Sequence, residues 1–521
     1  MNNHRLLMSG LVRPMHRIAP ASSSFLFVGL FGAIFLLLNC FYFIVFFLQL
    51  NLIALFYLVL VEYFTFGLAF ELAEFILEFM FPALIVPSRE EATDFPAVAV
   101  LYCTCDDLNS QALRHLGQDY PNLRIFILDD SRRQEHRAVI DSLGITVVRR
   151  AHHGGGKAGN LNNWLMLYGD QFPYFIILDA DSILAPDFAR KMIAYAEHPA
   201  NSDVAIFESM VVPWNIEESF ARHQAVLARC LRGLQTRVAN RFHCGFSAGH
   251  NNLIRTGAVR MVGGFTENYV AEDYATSIRL LNQNWRCITV PVDSYERAPA
   301  NLQEYAKRRM RHACQTFQLT SLGLHGLSWP ARLRLVKSLF FYGQSAVYLA
   351  GAIFLSYLNF NYMAHHAGMT ATESVKDFSG YFAFLALWCS ILLLQIGCML
   401  VRARAQHVEM NKCFKAMLFE AALFQLTAWP TTRRLLQYWL RDGRRLEFDV
   451  TATQAAPTFS GILKMAGPAL LIYVSALISV LMNPVLSGLN LTWILPAVFS
   501  PIVIYWHQEP RHGRRNETKL A

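Results

Sequence analysis

The sequence predicts an integral membrane α-helical protein that carries a cytosolic α/β domain with a mostly parallel sheet. Three observations predict it. The 521 residues are 54% hydrophobic and only 16% charged, whereas a soluble domain carries about 25% charged residues. The apolar excess is gathered into runs long enough to cross a bilayer. A long polar block between those runs alternates short β-branched segments with helical ones.

The first run, residues 25–48, reads FLFVGLFGAIFLLLNCFYFIVFFL and holds no charge. It is too long for a signal-peptide core, and no small-residue cleavage site follows it. Residues 51–72 continue almost as apolar, broken by Glu62 and Glu71; further runs occupy 338–358, 380–401, 463–483 and 490–506. Basic residues orient them. Arg5, Arg13 and Arg17 precede the first run, while the 359–379 loop has a single Lys and the 484–489 loop has no basic residue. The 402–462 loop is rich in Arg. Six spans with both termini in the cytoplasm satisfy the positive-inside rule at each short loop, which puts residues 90–335 on the cytosolic side of a membrane. The expected organisation is a cytosolic segment (1–24), two transmembrane helices (25–86), a cytosolic domain (90–335) and two more helices (336–401). A cytosolic interface segment (402–462), two last helices (463–506) and a basic tail (507–521) complete it. The ten cysteines are scattered without a CxxC pair, which suits a reducing compartment. Cys103 and Cys105 lack a second pair for zinc. The net charge of +8 reads as an orientation and lipid-headgroup signal, so the bilayer is an expected partner and nucleic acid is not.

Within the polar block, PAVAVLYCT (96–104), LRIFILDDS (123–131), ITVVRR (145–150) and YFIILDADS (174–182) read as strands, three of them closing on acidic residues. Helical segments such as 109–117 and 132–143 lie between. Polar residues at the carboxyl ends of a doubly wound sheet are where ligands bind. No GxGxxG follows the first strand and no GxxxxGK[ST] occurs, which disfavours a dinucleotide fold or a P-loop ATPase. Asp179 and Asp181 of LDADS alternate at a strand end, so a DxD there can hold a nucleotide diphosphate through Mg²⁺ (or Mn²⁺), a cation that takes oxygen ligands; it also fits a surface turn. Glu272 and Asp273 open a helical pattern. They fit favourable helix N-terminal charges or a general base. The stretch YAKRRMRHACQ (305–315) sets Lys307, Arg308, Arg309 and Arg311 close together, as a solvated face, a headgroup anchor or one wall of a phosphate site would.

In order, YCTCDD, LDDS, KAGNLN (157–162), DAD, FHCG (242–245), AED and RRMRH resemble the motifs of processive family 2 glycosyltransferases, which include cellulose synthase and related β-polysaccharide synthases. EFDVTATQ (447–454) is similar to the FxVTxK gating loop of cellulose synthases. The resemblance implies a GT-A-like catalytic domain in which Thr104, Cys105 and Asp107 begin the nucleotide pocket and Asp130 holds uracil. It places Lys157 and Asn160 near the diphosphate, Asp179 and Asp181 on nucleotide and metal, and Arg311 on the leaving phosphates. Phe242, Cys244, Gly245, Arg308 and His312 would serve the acceptor. Asp273 would be the base, with Glu272 beside it, and Phe448, Val450 and Thr451 would close over the nucleotide.

The implied activity is an inverting, membrane-embedded polymerisation of hexosyl units from a UDP-sugar, UDP-glucose first, into a β-linked polysaccharide that crosses the membrane. A non-processive enzyme that glycosylates a lipid carrier, or a synthase using UDP-N-acetylhexosamine, is the alternative. Three departures separate this chain from cellulose synthases. In QxxRW, Arg308 replaces the Gln and His312 stands where the sugar-stacking Trp is expected; Thr453 replaces the Lys of FxVTxK; and FHCG continues as FSAGHNN where their turn is shorter. No cyclic-di-GMP domain is expected, so control would come from a separate regulatory or outer-face subunit.

Overall fold

The structure, a computed structural model, describes residues 21–46, 52–82, 84–89, 95–365, 379–440, 455–482 and 491–508. Two helices, α1 (Ala21–Phe46) and α2 (Leu52–Met80), come first. The α/β block then runs β1 (Val98–Thr104), α3 (Ser110–Arg114), β2 (Leu123–Asp129), α4 (Gln134–Ser142), β3 (Thr146–Val148), α5 (Gly156–Tyr168), β4 (Tyr174–Leu178) and α6 (Phe188–Ala196). It continues with β5 (Val204–Pro213), α7 (Ser219–Cys230), β6 (Asn252–Arg255), α8 (Thr256–Met261), α9 (Glu272–Asn282), β7 (Arg286–Glu296) and α10 (Leu302–Gln318). Six helices follow: α11 (Trp329–His365), α12 (Ser379–Ala405), α13 (Met410–Leu440), α14 (Phe459–Ala466), α15 (Pro468–Met482) and α16 (Leu491–His507).

The seven strands form one sheet in the order β3-β2-β1-β4-β6-β5-β7. All neighbours are parallel except β6, which runs antiparallel to both β4 and β5. Side chains alternate across the sheet as the pleat requires. Val98, Val100 and Tyr102 of β1 join one apolar layer with Ile176 and Met192. Ala99 and Leu101 join the opposite layer with Phe126, Trp164 and Phe175. Two covered faces explain why these strands read as continuous apolar runs.

The four strands expected from the sequence all form, and β5, β6 and β7 are additional. They are hard to see because polar residues interrupt them. Glu208 and Ser209 sit in the middle of β5, and Pro291 lies in β7, which can hold a proline because it is the sheet's edge strand. The chain leaves β1 on one side for β2 and β3 and returns on the other side at β4. The carboxyl ends of β1, β2 and β4 therefore flank a switch point, where a parallel sheet opens a ligand crevice.

Within the described residues, all six apolar runs are helical. Among the described residues, no single helix is long and apolar enough to cross a membrane. One pair, α14 and α15, would do so by length and composition, bent by 81° at Gly467, whose φ is +53°. Helix α2 carries acidic residues that are paired where they are buried. Glu74 meets Arg334 Nε at 3.1 Å and Lys337 Nζ at 2.9 Å, and Glu78 meets Arg402 Nε at 2.8 Å. An unpaired carboxylate in such surroundings would cost several kcal/mol, at roughly 3–5 for a broken buried pair. The basic run of the sequence lies on α10, capped by Asn301, whose side chain accepts from the backbone N–H of Gln303 and Glu304. Helix α10 packs Ala313 and Cys314 against Leu435 of α13, so it joins the α/β block to the later helices.

Candidate active site

The carboxyl ends of β1, β2 and β4 are tied together before any ligand is considered. Thr104 Oγ1 and the Cys105 N–H donate to Asp107 Oδ1 at 2.9 and 2.7 Å. Tyr102 donates its hydroxyl to the Ala180 carbonyl at 2.8 Å, and Trp214 Nε1 donates to the Asp181 carbonyl at 3.0 Å. The DAD turn is thus clamped from β1 and from β5's far end. Ile183 adds a bridge to Tyr295 of β7.

Next to it, the glycine-rich stretch before α5 is closed by Arg150. Its guanidinium holds Asp130 with both arms, Nε to Oδ1 at 2.9 Å and Nη2 to Oδ2 at 2.6 Å. It also donates to the carbonyls of Gly154 and Gly156. Asp130, expected to bind the base of a nucleotide, therefore already serves as the anchor of this loop. Gly155 is required there: its φ is +71°, and a Cβ would lie 2.6 Å from Glu267 Oε2. The loop delivers Lys157 into the first turn of α5, where its ammonium pairs with Asp179 and donates to the Gly249 carbonyl at 3.0 Å.

Lys157 is the electrostatic centre of the crevice. Burial opposes its charge, but Asp179, Cys103 and Glu272 around it outweigh burial and hold it above the ordinary lysine value. The reciprocal holds for Asp179: burial would raise it, yet Lys157, His250 and Arg311 bring it below the usual carboxylate range. Asp181 has no such cation in contact. Burial, then the Glu296 and Asp179 carboxylates, push it up to about 7.

Glu272 and Asp273 form the first turn of α9. Burial and then Asp273 push Glu272 up to about 7. Asp273 is raised by burial and partly restored by the Tyr274 N–H, which donates to its Oδ1 at 2.8 Å, and by Lys157. A small cavity is lined by these two residues together with Ser247, Gly249 and Thr276. Gly249 forms its wall at φ +84°, and a Cβ there would stand 2.7 Å from Asp273 Oδ2. Gly249→Ala is expected to lose about 1–2 kcal/mol from the left-handed backbone alone, measured as a lowered denaturation midpoint, with a further loss from contact with the carboxylate.

From the other side, α10 turns Arg308 and Arg311 toward the carboxylates. Arg308 Nη1 lies 3.4 Å from Glu296 Oε1. Burial and Arg308 hold Arg311 below the ordinary arginine value, while Asp179, Glu272 and Asp273 draw it back. Burial and the neighbouring Arg308, Arg311 and Arg309 hold His312 well below the ordinary histidine value. Its ring meets Tyr342 of α11 edge-on at 6.5 Å.

The structure thus brings together Lys157, Asp179, Asp181, Glu272, Asp273, Arg308 and Arg311. Others of the expected residues stand behind this group. Phe242 and Cys244 are fully buried, Phe242 against Phe27 and Phe81, and the Cys244 carbonyl accepts from Arg334. A Cβ at Gly245 would meet the Cys287 carbonyl. Phe242 and Cys244 thus pack from within the segment expected to serve the acceptor, and are not exposed contacts. Asn160 is buried in α5, and Cys105 Sγ lies 3.6 Å from the Asp130 carbonyl. Phe448, Val450 and Thr451 lie outside the described residues. Two members were missed. His250 Nε2 stands 3.6 Å from Glu296 Oε2, and both act on Asp181. Neither belongs to a recognisable motif, and Glu296 closes a strand the sequence did not reveal.

Residues 174–401 match the family described as Glycosyl transferase family group 2. The chain is 28% identical over 256 residues to the glucans biosynthesis glucosyltransferase H of Xylella fastidiosa, a match covering 43% of this chain and 39% of that protein. It is 27% identical over 219 residues to the protein of the same name in Rhodopseudomonas palustris, covering 39% and 30%. The chain therefore aligns with less than two fifths of these relatives' own length. Among solved structures, a mannosyltransferase from Pyrobaculum calidifontis in complex with GDP-Man and Mn²⁺ superposes with a TM-score of 0.44 at 18% identity, over 68% of this chain and 99% of that chain.

Proposed function

We propose that this chain is a membrane-embedded, inverting glycosyltransferase. It joins hexosyl units from a UDP-sugar, UDP-glucose first, into a β-linked glucan and passes the product across the bilayer. The observation that carries the reading is one charge cluster: Lys157 and Arg311 both act on Asp179, Glu272 and Asp273, with Asp181 beside Asp179. The glucan-forming relatives support glucose as the hexose. The apolar helices and the basic loops between them support the membrane setting, with the α/β block of residues 90–335 and both termini on the cytoplasmic side.

In this reading Arg311 and Lys157 hold the diphosphate. Arg311 offers a planar fork that suits phosphate oxygens. Asp273 accepts the proton of the acceptor hydroxyl as that oxygen attacks C1 of the donor from the face opposite the diphosphate. The C1–O bond to the diphosphate breaks, and the negative charge leaves on the nucleotide, among cations already in place. Most of the rate then comes from positioning and charge stabilisation.

A divalent cation fits the DAD turn by the chemistry of its donors. Asp181 is a carboxylate beside two others, pushed up to about 7 by burial and then by Glu296 and Asp179. Among the described residues no group of three or more His, Cys, Asp or Glu is arranged to hold a metal. Asp181, with Asp179 beside it, would thus supply part of the shell, and phosphate oxygens the rest, as Mg²⁺ commonly arranges. When bound, the cation neutralises charge developing on the leaving diphosphate.

The test is product formation in inverted membrane vesicles given labelled UDP-glucose and Mg²⁺. A high-molecular-weight β-linked product is expected. A single-sugar lipid product would replace the polymerase reading by that of a carrier-glycosylating enzyme, and absence of UDP release would overturn transfer itself. Asp181→Asn is expected to weaken metal-dependent UDP binding by about tenfold or more, with metal-independent binding little changed. Titration of UDP with and without Mg²⁺ checks it.

A further inference from the structure

The candidate base rests on a buried polar chain that ends at Glu208, in the middle of β5 and 6% exposed. Asn252 Nδ2 donates to Glu208 Oε1 at 3.0 Å and to Ser247 Oγ at 2.9 Å. Ser247 Oγ also accepts the Gly249 N–H at 3.0 Å. Ser247 N donates to Ser277 Oγ at 2.9 Å, and that hydroxyl donates to the Asp273 carbonyl at 2.8 Å. The chain thus reaches the turn that carries the base. It reaches Lys157 as well, because the Gly249 carbonyl accepts from its ammonium at 3.0 Å. There is no slack at the end of it, since a single added Cβ on Gly249 would overlap Asp273.

We propose that Glu208 is a positioning residue for sugar transfer: through Asn252 and Ser247 it fixes the 247–249 loop against Asp273 and Lys157. The proposal rests on the reading of Asp273 as the acceptor-activating base. Glu208 itself touches neither donor nor acceptor. The titratable groups that face it are His250 of the loop, Tyr274 of α9 and Cys287 of β7. Burial pushes its carboxyl up to about 7, against the pull of Ser247, Asn252 and the Ala248 N–H. A carboxyl raised on folding stabilises the fold in its protonated form. That contribution is complete below the ordinary carboxylate range and is lost as pH rises through about 7. The loop should therefore loosen on the alkaline side of neutrality.

The test compares full-length wild type, Glu208→Gln and Glu208→Ala in nanodiscs. Sugar transfer and UDP affinity are measured between about pH 6 and pH 8.5, and the thermal midpoint from about pH 4.5 to pH 8.5, a range spanning the proposed loss of stability. Glu208→Gln keeps the shape and an oxygen for Asn252 but cannot ionise. Its thermal midpoint is expected to match wild type near about pH 4.5 and to lack the alkaline fall that wild type shows toward about pH 7, and its transfer rate to lack the fall above about pH 7. Glu208→Ala is expected to cut turnover by about a hundredfold, the scale of a small misplacement, with a smaller loss of UDP affinity through Lys157. Wild-type turnover in folded Glu208→Ala, or an alkaline fall that persists in Glu208→Gln, overturns the proposal. If wild type releases no sugar from any UDP-sugar offered, the transfer reading fails. The midpoint comparison then still decides the network: an alkaline fall confined to wild type supports it, and parallel curves overturn it.

Discussion

Asp273→Asn is expected to abolish sugar transfer, by about 10²–10⁴-fold for loss of a general base, while UDP binding stays within a small factor of wild type. The substitution keeps the volume of the side chain and an oxygen for the Tyr274 N–H, so the first turn of α9 should persist. What it removes is the proton acceptor. It also removes the carboxylate that, after burial, does most to raise Glu272. Glu272 in the variant should therefore titrate below about 7 and be more fully ionised at neutral pH. If Glu272 were the base, Asp273→Asn would be mildly affected or even improved at acid pH. The pH profile of residual transfer thus separates the two neighbours, and undiminished transfer in Asp273→Asn would sink the assignment.

Such a prediction is possible because the sequence already displayed the parts that depend on short-range pattern. β1, β2 and β4 are apolar runs ending in aspartates, and their parallel pairing follows from the helices between them. The DAD turn, the AED turn and the RRMRH run were legible for the same reason: each is a charged segment next to an apolar element of clear period. What stayed hidden depends on long-range pairing. β6 enters antiparallel between β4 and β5, a choice that no local propensity encodes. Glu208 looked like an interruption of a strand, although its partner Asn252 lies on the neighbouring one. Asp130 looked available for a nucleotide base until Arg150 was found holding both of its oxygens. His250 and Glu296 join the site only through the packing of the 250 loop against the end of β7. Phe242 and Cys244 sit in a recognisable motif, yet they are core residues, because α1 covers the segment that carries them.

Lys157→Met is the second variant with a large expected effect, and its signature is a displaced pH profile. Lys157 touches Asp179 and lowers the proton affinity of Asp179, Glu272 and Asp273 alike. Methionine fills similar space without charge. Asp179 then loses the partner that, against burial, keeps it ionised, and both carboxyls of the AED turn move further up. Asp273 must be ionised to accept a proton, so the acid limb of the transfer rate should shift to higher pH, by the differential of about 1.4 kcal/mol that each pKa unit represents. Transfer at neutral pH should fall by about tenfold or more, with partial recovery as pH is raised. A lysine that only contacted phosphate would behave otherwise: its loss would raise the donor concentration needed and leave the acid limb in place. Measuring turnover against pH at saturating UDP-sugar distinguishes the two. An unmoved acid limb would show that Lys157 does not set the charge state of the base, and that the ammonium serves the nucleotide alone.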